Sequence, residues 1–171
     1  MMSWTPPRLA VLIVLLLGCA PAIAFADDGW DMALTGGFVT NGLVDPVYAL
    51  GTVTGRPTRV IVRETSQESS VALGIAMFAE VFNDRAKWIA PVSLGIGLRS
   101  DARATVYLGS ALRFGPHASV TSGVAIGPVA TLPPGLNEGS SIADTNQLTN
   151  LATRTKASWF VGVTYTFASL R

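Results

Sequence analysis

Large apolar residues recur at every second position through much of this chain. In Val71–Phe82, Val71, Leu73, Ile75, Met77, Ala79 and Val81 share one face, and Ala72, Gly74, Ala76, Phe78, Glu80 and Phe82 the other. The same phase runs through Trp88–Arg99, where Trp88, Ala90, Val92, Leu94, Ile96 and Leu98 oppose Pro91, Ser93, Gly95, Gly97 and Arg99. It continues in Arg103–Phe114 (Val106, Leu108, Leu112 and Phe114 against Thr105, Tyr107, Gly109 and Ala111) and in Ala118–Ala130. Ser158–Phe167 closes the series, with Trp159, Val161, Val163, Tyr165 and Phe167 on one side. A period of two is the pattern of a strand whose two faces meet different surroundings. Trp30–Thr40 alternates similarly, Arg59–Glu64 is rich in β-branched residues, and Tyr48–Thr54 has the weakest pattern. Together these segments predict eight strands. Asn83–Lys87, Ser100–Ala102 and Gly115-Pro116 carry the turn chemistry expected between them.

The non-apolar face decides between water and lipid outside. A soluble sheet turns Lys, Glu and Gln to water. Over the last four strands this face is Gly, Ser, Ala and Thr, and its charges are Arg99, Arg103 and Arg113, all at strand ends. Small residues suit a narrow lumen, which leaves the large aliphatic face for hydrocarbon. Composition agrees: 49% of residues are hydrophobic and only 13% charged, about half the roughly 25% of a soluble domain. Mean hydropathy is +0.43 without an apolar run long enough for a spanning helix. Open sheet edges are not tolerated in hydrocarbon, so the expectation is an all-β fold, a closed antiparallel transmembrane β-barrel of eight strands. A soluble periplasmic β-barrel is the alternative.

Residues 1–26 read as a signal peptide: Arg8, the apolar run Leu9–Leu17, then Ala24-Phe25-Ala26 as the cleavage site, leaving residues 27–171 as the barrel domain. Leu16-Leu17-Gly18-Cys19 also resembles a bacterial lipobox, so lipid anchoring at Cys19 is an alternative. No other cysteine follows, which removes a disulfide framework.

The last strand, Phe160-Val161-Gly162-Val163-Thr164-Tyr165-Thr166-Phe167, resembles the C-terminal signal of bacterial outer-membrane proteins, followed here by four further residues. From Ala33 onward the chain resembles barrel domains of uncharacterised outer-membrane proteins, and its length and strand count are similar to the small eight-stranded barrels. The resemblance implies an outer-membrane location, contact with outer-membrane lipid and lipopolysaccharide, and insertion by the barrel assembly machinery. It implies no activity. Both termini and the 83–87 and 115–116 turns are then periplasmic, and the connection 130–155 is an extracellular loop and the candidate surface for an extracellular partner. Within that loop Asp144–Leu151 could form about two helical turns capped by Asp144.

Candidate site residues are few. Glu80 is the one acid predicted inside the wall, with Arg59 and Arg113 at a similar height, which suggests a lumenal ion pair; the plainer reading sends each charge to rim water. Arg63, Arg99, Arg103, Arg154 and Lys156 are expected near the external rim, where they could contact lipopolysaccharide phosphates or simply be solvated. His117-Ala118-Ser119 matches the bare His-x-Ser of outer-membrane lipid A deacylases, but Val120 replaces the Asn that follows in that family. A lipid A-modifying enzyme is therefore an alternative, and the expectation is no catalysis. One histidine excludes a multi-His metal site, no nucleotide-binding glycine motif points to a cofactor, and a net charge of +1 does not suit nucleic acid. An eight-stranded interior is filled by side chains, so no open pore is expected.

Overall fold

The computed structural model describes residues 30–52, 59–64, 71–83, 87–141 and 151–170. The predicted signal peptide, its cleavage site and Cys19 lie outside them, as does nearly all of the predicted helix 144–151. The chain is all-β: β1 Trp30–Asn41, β2 Tyr48–Thr52, β3 Arg59–Arg63, β4 Ala72–Asn83, β5 Ile89–Arg99, β6 Ala104–Phe114, β7 Ala118–Thr131 and β8 Ala152–Leu170.

All eight predicted strand segments form, but six of them make the main sheet. The antiparallel pairings run β1-β4-β5-β6-β7-β8, and β8 returns to pair with β1, so they follow a ring. β2 and β3 pair with each other in a separate two-stranded ribbon, which corrects the eight-stranded wall. The physical reason is length. β2 and β3 have five residues each, half of the roughly 9–11 that a tilted spanning strand needs, whereas the six ring strands have 11 or more. β1 already pairs with β4 over its whole length, from Trp30↔Asn83 to Asn41↔Ala72, and leaves no gap for a further strand.

The short connections 84–88 and 115–117 lie at one end of the ring with the start of β1 and the end of β8; we call this the turn end. The other end, the mouth, carries the ribbon, the tight turn 100–103 and the connection 132–151. That connection is shorter than the predicted 130–155, because β7 and β8 pair out to Thr131↔Ala152. The ribbon is tied to it: Val60 bridges Ser141, Ile61 N donates to Ser140 O (3.1 Å) and Gly139 N to Ile61 O (2.8 Å).

Alternation sorts the ring strands as the pattern predicts, with Phe78, Glu80, Tyr107, Thr121, Phe160 and Thr164 buried inside. β5 departs in one place. A bulge between Ala90 and Ser93 sets two residues against one of β6. It buries Ala90 and exposes Pro91, the reverse of the expected phase. Proline has no N–H for the ladder, so a bulge is where a strand can hold it.

Two glycines are required by their surroundings. A Cβ on Gly95 would lie 2.3 Å from the Phe78 ring, so this glycine makes the space that ring fills; Gly115, at φ +74°, makes the 115–117 turn.

Candidate functional site: a packed lumen beneath an ion-paired mouth

The lumen is layered. Nearest the turn end, Phe82 packs with Ala33, Ala90 and Ala111, and the Arg113 guanidinium lies over the Phe82 ring, 3.7 Å from its centroid. This is a cation–π stack. Arg113 forms no ion pair with Glu80 among the described residues, and Arg59 is exposed on the ribbon at the mouth, so the predicted lumenal ion pair is corrected. The reason for Arg59 is the ribbon itself: β3 is not a wall strand.

Glu80 instead sits among hydroxyls, fully buried. Thr35 Oγ1 (3.0 Å), Thr121 Oγ1 (3.1 Å) and Thr164 Oγ1 (3.4 Å) donate to its Oε1, and Ser119 Oγ donates to its Oε2 at 3.4 Å. Thr121 and Thr164 hydroxyls also lie 3.4 Å apart. Ser93, directly across the β4–β5 pair from Glu80, is fully buried and its hydroxyl has no partner.

Above this layer stand Phe78, Tyr107 and Phe160, with ring centroids 4.9–5.8 Å apart. Such tilted, stacked and edge-on contacts add to the burial of each ring. Val39, Ala76, Ala125, Val129 and Leu43 complete this cluster. Leu43 comes from the segment after β1. Its backbone N–H donates to Asn41 Oδ1 (3.0 Å), and the asparagine Nδ2 reaches Tyr107 Oη at 3.4 Å. The chain therefore folds back over the mouth and fills it with Leu43.

Arg99 holds this segment down. Its Nη1 donates to Leu43 O (2.7 Å) and Pro128 O (3.1 Å), and its Nε and Nη2 form a fork on the Asp101 carboxylate. Asp45 joins the group, accepting from Arg103 Nη1 (2.8 Å) and from Ala130 N (2.7 Å), with Arg99 Nη2 at 3.7 Å. Burial raises the Asp101 carboxyl, but the hydrogen bond and charge of Arg99, seconded by Arg103, outweigh it and hold it below its ordinary value. The sequence reading missed Asp45 and Asp101. The signal for Asp101 was present as three charges in the five residues Arg99–Arg103, a tight turn with opposite signs.

Arg99 and Arg103, expected as lipopolysaccharide contacts, are thus committed elsewhere. Arg99 is buried and Arg103 half-buried in ion pairs. The reason is alternation: Arg99 falls on the lumenal phase of β5 and points across the mouth. Arg154 and Lys156 are exposed where β8 pairs with the last residues of β7, opposite Val129 and Gly127, which places them toward the mouth. Arg63 is exposed on the ribbon. His117 is exposed and stacks on Tyr165, with centroids 5.4 Å apart, whereas Ser119 is buried and donates to Glu80.

The outer face is apolar as well. Leu73, Ile75 and Met77 of β4, Val92, Leu94 and Leu98 of β5, Val106, Leu108 and Leu112 of β6, and Val161 and Val163 of β8 are all exposed. Trp88, Phe114, Tyr165 and Phe167 ring the turn end, while Phe38 and Trp159 stand toward the mouth. The sequence matches no family model, and no curated protein or solved structure shows a significant likeness to it.

Proposed function

We propose that this chain is an integral outer-membrane β-barrel protein without an open pore, whose role is structural or surface-interacting. The carrying observation is the outer face: aliphatic and aromatic side chains are exposed around the outside of a ring whose interior is already packed with its own side chains, Glu80 and several threonines among them. Monomeric soluble proteins rarely expose a contiguous apolar patch larger than a few hundred Å², and a band that follows the wall strands around the ring fits hydrocarbon. The aromatics at the turn end fit an interfacial girdle. In this reading the ring closes into a transmembrane barrel, the turn end is periplasmic, and the ribbon with the 132–151 connection forms the extracellular surface offered to a partner. The aromatic trio and Leu43 block the lumen. No catalytic step is assigned, because exposed His117 and buried Ser119 serve different surroundings.

Fractionation tests it. The protein is expected to sediment with outer membrane and to migrate faster on gels unheated than heated. Recovery in the soluble periplasmic fraction, with one mobility, would refute the proposal.

A further inference from the structure

Glu80 is fully buried and has no charged partner among the described residues. A carboxylate taken out of water costs several kcal/mol unless paired, and hydroxyl dipoles alone carry no compensating charge. The oxygens around it are also spaced unusually. Hydroxyl hydrogen bonds centre near 2.7–2.8 Å, yet the five contacts here run from 3.0 to 3.4 Å. Glu80 Oε1, Thr121 Oγ1 and Thr164 Oγ1 form a closed triangle with edges of 3.1, 3.4 and 3.4 Å. Two hydroxyl hydrogens cannot satisfy its three edges.

We propose that this triangle is one face of a binding site for a dehydrated monovalent cation of the size of Na⁺. Hard cations of about that radius bind oxygen at about 2.4 Å, and an octahedron with such bonds has edges of about 3.4 Å. Glu80 Oε2 and the hydroxyls of Thr35 and Ser119 stand around the same carboxylate. The unpartnered, fully buried Ser93 hydroxyl supplies a further oxygen from the neighbouring strand. A single carboxylate selects charge: Na⁺ leaves the layer neutral, and a divalent ion leaves it positive in a buried site. The layer also lies between the two apolar clusters of the lumen, so the ion joins β1, β4, β7 and β8 through their side-chain oxygens.

The test is urea unfolding of the detergent-folded protein in sodium chloride or N-methylglucamine chloride, at equal ionic strength and neutral pH. This readout does not depend on where the protein resides in the cell. With Na⁺ the unfolding constant is expected to fall about tenfold for each tenfold rise in concentration above the dissociation constant, and N-methylglucamine to give no such series. Glu80→Gln should abolish the Na⁺ response. Thr164→Val, which keeps the volume and removes one oxygen, should raise the Na⁺ concentration needed about tenfold. Equal responses to the two cations overturn the site. So does an unchanged Na⁺ response in Glu80→Gln, or in Thr164→Val should the glutamine variant not fold. A wild-type stability that follows pH and ignores Na⁺ overturns it in favour of a protonated carboxyl.

Discussion

Whether Phe78 can fill the lumen depends on one missing methyl group. Gly95→Ala places a Cβ 2.3 Å from the Phe78 ring, and the ring, packed against Tyr107 and Phe160, has little room to yield. Overpacking of this kind costs about 1–3 kcal/mol; we expect a lower urea midpoint for Gly95→Ala, and an unshifted midpoint would show that the trio is loosely held. Residues on the outer face separate lipid from water more sharply. Leu94 is 45% exposed on the wall and Val62 is 44% exposed on the ribbon, so in water the two should accept a charge equally well. In a membrane they should not. Leu94→Arg near the midplane is expected to cost about 2–4 kcal/mol and to lower the yield of the heat-modifiable form, whereas Val62→Arg should leave it intact. Equal tolerance at both positions would mean that the apolar band meets no lipid.

At the scale of elements, the ribbon and the wall have different fates. β2 and β3 supply no pairing to the ring, and β1 meets β4 without them. Replacing residues 48–63 with a short flexible linker is therefore expected to leave the folded, fast-migrating form, and loss of that form would restore them to the wall. The clamp over the mouth responds to acid. The folded-state pKa of Asp101 lies below its ordinary value, so its contribution is fully present above the unfolded pKa near 3.9 and is lost as pH falls through the lower folded value. In strong acid the hold of Arg99 and Arg103 should slacken and the segment around Leu43 lift. Trp159 reports this, because its carbonyl accepts from Gly42 N at 3.1 Å; its fluorescence should change below about pH 4, and Asp101→Asn should show the changed signal already at neutral pH. Alternation made the ring strands and their inward residues legible from the sequence, since phase alone decides which face a side chain takes. It could not place β2 and β3, because pairing partners are tertiary and short β-branched runs look alike wherever they pair. It also misread Pro91 and Ala90, since a bulge shifts phase without a period of its own. Glu80 was legible as buried, and its companions were not, because Thr35, Ser119, Thr121 and Thr164 are brought together only by the register of β1, β7 and β8 with their neighbours.

The two ends of the whole molecule differ in kind, and in the proposed membrane reading that difference predicts an orientation. The turn end carries two short connections, the start of β1, the end of β8 and a rim of exposed aromatics. The mouth carries the ribbon, the longer connection 132–151, the Arg99–Asp101–Asp45–Arg103 ion-pair network, and exposed Arg63, Arg154 and Lys156. Removing two strands from an eight-stranded plan leaves an even number, so both ends of the wall remain on one side, as outer-membrane barrels require of their periplasmic termini. Long connections belong outside in such barrels, so the proposed outer-membrane reading predicts the mouth at the cell surface. Because Cys19 is the sequence's single cysteine, introduced thiols report sidedness against a background with at most one other thiol, and changing Cys19 removes that one too. Asn137, exposed at the mouth, and Pro116, exposed in the 115–117 turn, are suitable positions. A membrane-impermeant maleimide added to intact cells should label Asn137→Cys and spare Pro116→Cys, and both should react once the outer membrane is opened. The reverse pattern would invert the topology while keeping the barrel. Equal protection of both thiols in intact cells, with equal labelling afterwards, would place the whole ring in the periplasm and remove the membrane from its function.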